Sequence, residues 1–242
     1  GHIPGNLFNR AVISTVFEEW WIIPHYFFPL SLGDFGRLKI KRLCYLYRMW
    51  WMLIFNGADA LVEKHYVSKR SRKQKGILAF LAQDAKTRVF CYANADLDKD
   101  SQNDEVIQFV KFWKQRTGSY PQEVIFDSKL TTYKNLDKLN ALNIGFMTLR
   151  RRSKPMLAQI HKEPISAWRR IELRGVSRIY RHPKILDQKI QIKDYQKPIR
   201  QLVINELGRE TPIFLLTNQL KRSAPKLIQR YAQRMIIENG IE

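Results

Sequence analysis

From about Asn56 onward, apolar and polar positions fall into ordered blocks. Ile77 to Ala82 is a continuous apolar run and predicts a strand. Asp84 to Thr87 reads as a turn, and Val89 to Ala93 as the returning strand, so the pair predicts a β-hairpin. A polar loop from Asp96 to Asn103 leads into a helix over Asp104 to Gln115. Its spacing puts Val106, Ile107, Phe109, Val110 and Trp113 on one side. Thr117 to Pro121 ends it. Val124-Ile125-Phe126 then reads as a short buried strand, 131–142 as a helix and Gly145 to Leu149 as a strand. This order (hairpin, helix, strand, helix, strand) predicts an α/β fold with an antiparallel part and a parallel part. Arg150 to Pro155 breaks the alternation. Between 168 and 217 the pattern is mostly β, with short strands at Ile171–Leu173, Ser177–Tyr180, Lys189–Lys193, Arg200–Asn205 and Pro212–Thr217. Ser223 is a fitting N-cap for a last helix to Glu238, with Pro225 in its first turn.

Residues 1–56 follow no such pattern. They hold four of the six tryptophans, Trp20, Trp21, Trp50 and Trp51, without clean helical or strand spacing. The stretch 36–55 reads either as one irregular helix or as ending in a strand at Trp50 to Phe55. His25 has no second His or Cys at ligand spacing and reads as a core or incidental histidine.

Charge changes the picture more than composition does. Lys and Arg number 42 against 22 Asp and Glu, a formal net charge of +20. That excess points to a polyanion, most simply nucleic acid. With no basic amphipathic helix bearing a strong apolar face, a membrane surface is not the expected partner. Hydrophobic residues make up 45% of the chain, enough for a sizeable core. The basic run at Lys69 to Lys75 reads as a loop, either solvated or touching phosphate. Cys44 and Cys91 lie far apart without ligand-like neighbours, so a reducing compartment and no zinc site are expected. The longest apolar run, Met49 to Phe55, is too short to span a bilayer, and no signal peptide is recognised. These features together predict a cytoplasmic protein.

Two features carry candidate chemistry. Asp127 follows a buried strand directly, at the end where α/β folds leave a ligand crevice. It reads equally well as a cap of the next helix, helped by Ser128 or Thr131. In the last helix Tyr231, Arg234 and Glu238 stand three and seven residues apart, on one face. A phenol, a guanidinium and a carboxylate so aligned suit a site for a metal ion and a phosphate. An ordinary surface face with an Arg234–Glu238 ion pair has the same spacing.

The stretch Tyr231 to Glu238, Y-A-Q-R-M-I-I-E, matches a Y-x-x-R-x-x-x-E signature. With it the chain resembles the bacterial insertion-sequence transposases of the DDE superfamily. E-K-H-Y-V-S-K-R-S-R from Glu63, A-Q-D at Ala82, Y-A-N-A-D-L at Tyr92 and V-I-F-D-S-K-L-T-T-Y at Val124 resemble one subgroup of them. The resemblance covers about residues 57–242. It implies an RNase H-like mixed sheet flanked by helices, with a core over 57–154. A β-rich insertion over 155–217 and a C-terminal catalytic helix over 218–242 would follow, the helix cut short after Glu238. It further implies that Asp127 and Glu238 are catalytic metal ligands, the second acid and the final Glu of the triad. Lys129, Tyr231 and Arg234 would contact DNA. Two Mg²⁺ ions about 3.5–4 Å apart, replaceable by Mn²⁺, would serve DNA cleavage and strand transfer at the element's ends. Double-stranded DNA and a homodimer are the implied partners.

The chain departs from the family at one point. The first catalytic Asp belongs on the first strand, expected near Trp50 to Phe55, and that stretch has no acid. Asp34 and Asp59 lie outside the expected setting, and Asp84 falls in the hairpin turn. Residues 1–56 are therefore read as foreign to the family, and the chain is expected to show no measurable cleavage or strand transfer. Two other functions stay open: a non-catalytic basic DNA-binding protein, and an RNase H-like nuclease without transposition.

Overall fold

A computed structural model of the 242-residue chain describes residues 43–51, 63–67, 72–87, 89–94, 97, 102–174, 176, 180–207 and 211–238. Strands β1 (Leu43–Trp51), β2 (Glu63–Val67), β3 (Arg72–Asp84) and β4 (Phe90–Asn94) come first. Helix α1 (Glu105–Thr117), β5 (Glu123–Phe126), α2 (Tyr133–Ala141) and β6 (Gly145–Leu149) follow. Then come α3 (Lys154–His161), β7 (Arg169–Arg170), β8 (Lys184–Ile190), β9 (Ile199–Asn205), β10 (Ile213–Thr217) and α4 (Ala224–Glu238).

All ten strands share one sheet, in the order β2-β3-β1-β5-β6-β10-β9-β8-β7, with β4 paired to β3. β3 runs antiparallel to β1 and β4, while β1, β5 and β6 run parallel. A three-strand meander, then two parallel strands each reached through a helix, is an RNase H-like topology. The stretch 155–217 supplies β7 to β10, which extend that same sheet, because β10 pairs antiparallel with β6.

The alternation of side chains along the central strands separates two cores. On one face Leu46, Phe80, Val124, Phe126 and Phe146 pack with Phe109 and Trp113 of α1 and Leu136 and Leu139 of α2. On the other, Tyr45, Ile125, Met147, Leu202 and Leu215 pack with Leu227, Ile228 and Tyr231 of α4. The apolar side read from the α1 sequence is the buried one, since all five of its named residues are buried.

Several boundaries differ from the sequence reading. The first described strand is Leu43–Trp51, where ladders to β3 and to β5 fix it; of the strand expected at Trp50 to Phe55 only Trp50 and Trp51 fall in it, and 52–55 lie outside the described residues. The basic run expected as a loop enters β3 at Arg72, where pairing with β2 outweighs weak strand propensity. Helix α3 went unpredicted, although Ser153 caps it by accepting from the Met156 amide and Pro155 lies in its first turn. Ile171 to Leu173 forms no regular strand, yet its amides bond to the carbonyls of Pro183 and Arg181, so it continues the β7–β8 pairing irregularly. Ser177 to Ile179, His25, Asp34 and Asp59 lie outside the described residues.

Candidate functional site at the carboxyl end of strand β5

Asp127 is the first residue past β5, its backbone still extended at φ −76° and ψ 153°. It therefore shares the parity of Ile125, which faces α4. Its side chain is half-buried. The carboxylate does not cap a helix: the turn Ser128–Leu130 receives no side-chain bond from it, and the cap of α2 is Thr132, which accepts from the Asn135 amide. Oδ1 accepts from Ser128 Oγ at 3.1 Å, and Oδ2 has no hydrogen-bond partner among the described residues. A carboxylate with an oxygen to spare is what a hard divalent cation takes as a ligand.

Helix α4 crosses the same face along the direction of β5. At its start, Glu123 opens β5 and is buried. Its carboxylate receives Gln219 Nε2 at 2.6 Å, Arg222 Nη1 at 3.1 Å and Arg230 Nη1 at 3.1 Å. Further on, Tyr45 donates to Gln233 Oε1 at 3.0 Å, and Arg234 Nε donates to the Leu46 carbonyl at 3.2 Å. Leu46 follows Tyr45, which is paired with Ile125 in the parallel register. The helix thus passes from the amino end of β5 to its carboxyl end. At a rise of about 1.5 Å per residue, position 238 lies about 6 Å beyond Arg234, toward Asp127.

The structure buries both of the helix's other signature residues. Tyr231 is 7% exposed and Arg234 2%, with the guanidinium 6.0 Å from the ring centroid. Both sit between α4 and β1. Lys129, by contrast, is exposed on the turn directly after Asp127.

Strand β1 runs beside β5, and Tyr45 pairs with Ile125. Continued two positions further, the same register would bring Tyr47 level with Asp127. The strand reads L-C-Y-L-Y-R-M-W-W and carries no carboxylate. Asp84 cannot take that place. It is paired with Cys44 at the opposite end of β1, and its Oδ2 closes the β3–β4 turn by accepting from the amides of Lys86 and Thr87 and the Thr87 hydroxyl. Among the described side chains, no three His, Cys, Asp or Glu residues come together as a metal-ligand group.

Sequence reasoning passed over Glu123, whose only local signal is a charge at the start of an apolar strand. Its partners lie about a hundred residues away, so nothing nearby could reveal them. Replacing Glu123 by Gln leaves two arginines without their counter-ion. Chemical denaturation of the variant should show a loss of about 2–3 kcal/mol, moderated by the arginines' partial exposure.

No protein-family profile and no curated protein matches this chain. Among solved structures it is similar to a variant of Ciona intestinalis endonuclease V in complex with a 23mer DNA containing an inosine followed by a ribo-adenosine. The TM-score is 0.33 and the identity 12%, over 88% of this chain and 83% of that one. A second endonuclease V complex from Ciona intestinalis, with a 24mer DNA, gives TM-score 0.33 and 12% identity over 76% and 74% of the two chains. Marinitoga piezophila Argonaute with a 5′ OH guide RNA gives TM-score 0.31 and 8% identity, over 84% of this chain and 26% of that one. The assignment of the fold rests on strand order and direction.

Proposed function

We propose that this chain is the catalytic domain of a DDE-type insertion-sequence transposase, of the kind that carries out metal-dependent DNA cleavage and strand transfer at the element's ends, in a copy that is inactive because its first acid is missing. One observation supports this above the others. Asp127 ends the central parallel strand on the face that α4 crosses, and α4 carries Glu238 toward that same end. Mg²⁺ or Mn²⁺ bound there would activate the attacking oxygen and stabilise the leaving one. Asp127 and Glu238 would hold the metal. Arg234 and Tyr231, buried against β1, set the position of the helix, and the exposed Lys129 is placed to meet a phosphate.

Titration of the whole chain with Mn²⁺ tests the reading. Binding is expected, and Asp127→Asn should weaken it by at least about tenfold, the loss seen for changes around metal ligands. Mn²⁺ binding that ignores Asp127→Asn would sink the proposal. The carboxylate-free β1 favours a second reading, a DNA-binding protein of the same fold without catalysis. That reading expects DNA binding with no Mn²⁺ affinity at Asp127.

A further inference from the structure

The sheet's two ends differ in how their charges are arranged. At the carboxyl end of β6 the chain runs Arg150-Arg151-Arg152-Ser153-Lys154, four cations with no acid between them. Arg151, Arg152 and Lys154 are exposed. Phe126 pairs with Thr148, so Asp127 is level with Leu149, one residue short of this run. Because β10 and β8 run antiparallel to β6 and β9, the same end of the sheet also holds the start of β8. There Lys184 pairs with Arg170 of β7. From β5 to β7 this edge crosses five strand spacings, about 24 Å at about 4.8 Å each. That equals about seven base pairs of duplex at about 3.4 Å each.

The opposite edge is basic too, but acids interrupt it. Lys193 and Lys197 flank Asp194, and the adjoining Gln196 amide donates to Asp137. Arg222 and Arg230 are occupied by Glu123. On the carboxyl edge, Glu206 bridges Arg170 and Lys184 at its far end, while Arg151, Arg152 and Lys154 form no ion pair among the described residues.

We propose that the backbone of duplex DNA lies along the carboxyl edge of the sheet, from Asp127 over the β6–α3 loop toward β7 and β8. The inference rests on the reading of the chain as a DNA-acting protein and assigns the DNA a path on it. Arg151, Arg152 and Lys154 are its phosphate contacts nearest the site. They fix register and orientation and read no base.

The test is the salt dependence of binding to a random-sequence duplex of about 20 base pairs, using the whole chain. Two triple variants are compared: Arg151→Gln/Arg152→Gln/Lys154→Gln, and Lys193→Gln/Lys197→Gln/Lys221→Gln from the opposite edge. Each lost phosphate contact lowers the slope of log K against log salt by about 0.9. The first variant should lose a slope of about 2–3 and the second close to none. Arg152 also donates to the Thr211 hydroxyl. The double variant Arg151→Gln/Lys154→Gln, which leaves that bond, should still lose nearly 2. Equal losses in the two triples, or a larger loss from the Lys193 set, would overturn the path. Failure of the unaltered chain to bind DNA at all would instead overturn the functional reading beneath it.

Discussion

The unaltered chain should leave supercoiled plasmid intact in Mn²⁺, and Tyr47→Asp should nick it. The reason lies in the strand register. A two-metal site needs carboxylates converging from adjacent strands, so that each metal keeps open positions for the reacting oxygens. Asp127 follows β5 directly, and continuing the ladder two residues past its last pair, Tyr45 with Ile125, brings Tyr47 to the level of Asp127. An Asp at that position would stand one strand spacing from Asp127, about 4.8 Å from backbone to backbone. Supplying one missing element of electrostatic stabilisation at a reacting phosphate should raise the rate by about 10²–10³-fold. The double variant Tyr47→Asp/Asp127→Asn should be silent again, which ties the gain to this pair. Nicking by the unaltered chain, lost in Asp127→Asn, would show that a complete site exists without position 47.

The largest stability loss from a single polar side chain is expected at Arg200, which is 8% exposed in the middle of the sheet. Nε and Nη2 grip Asp187 at 2.9 and 2.7 Å, and Nη1 donates to the carbonyls of Gln219, Leu220 and Arg222. One guanidinium thus ties β9 to β8 and to the loop that launches α4. Arg200→Ala removes one of the two cations on Asp187, leaving Arg169, and the shared donor of three carbonyls. Equilibrium denaturation at neutral pH should register a loss of about 2–4 kcal/mol, from the lost carbonyl donor and the weakened ion pair. Asp187 adds a pH signature. Its partial burial opposes ionisation, but the Arg200 guanidinium, helped by Arg169, holds the carboxyl below its ordinary 3.8. A depressed folded value means the contribution is present above about pH 4 and lost as pH falls through the folded value. The Arg200→Ala deficit should therefore shrink below pH 4. A deficit independent of pH would show that the carbonyl contacts, not the ion pair, dominate.

The parts of this fold legible in the sequence are those whose signal is local. Helix α1 shows its buried side through spacing alone, and β6 falls where the apolar run from Gly145 to Leu149 puts it. β1 was misplaced because its aromatic, aperiodic sequence fits several registers. Only pairing with β3 and β5, tens of residues away, chooses among them. The site divides in the same way. Asp127 was visible as an acid after a buried strand, and the structure rules out helix capping by assigning that role to Thr132. Tyr231 and Arg234 share a helix face with Glu238, as their spacing says. Spacing cannot say whether that face meets water or β1, and the structure turns Tyr231 and Arg234 toward β1.

The position of β1 also has a consequence for how the protein is made. It is the first of these strands to leave the ribosome, yet it lies in the interior of the finished sheet. The hydrogen bonds that join it to α4 link residues 188 positions apart. Every nascent chain that ends before α4 leaves the Tyr45, Ile125, Met147 and Leu215 face without its cover. At about 5–20 residues per second, that state lasts on the order of ten seconds or more. The helix that carries Glu238 is therefore also the one that ends the exposure of this face during synthesis.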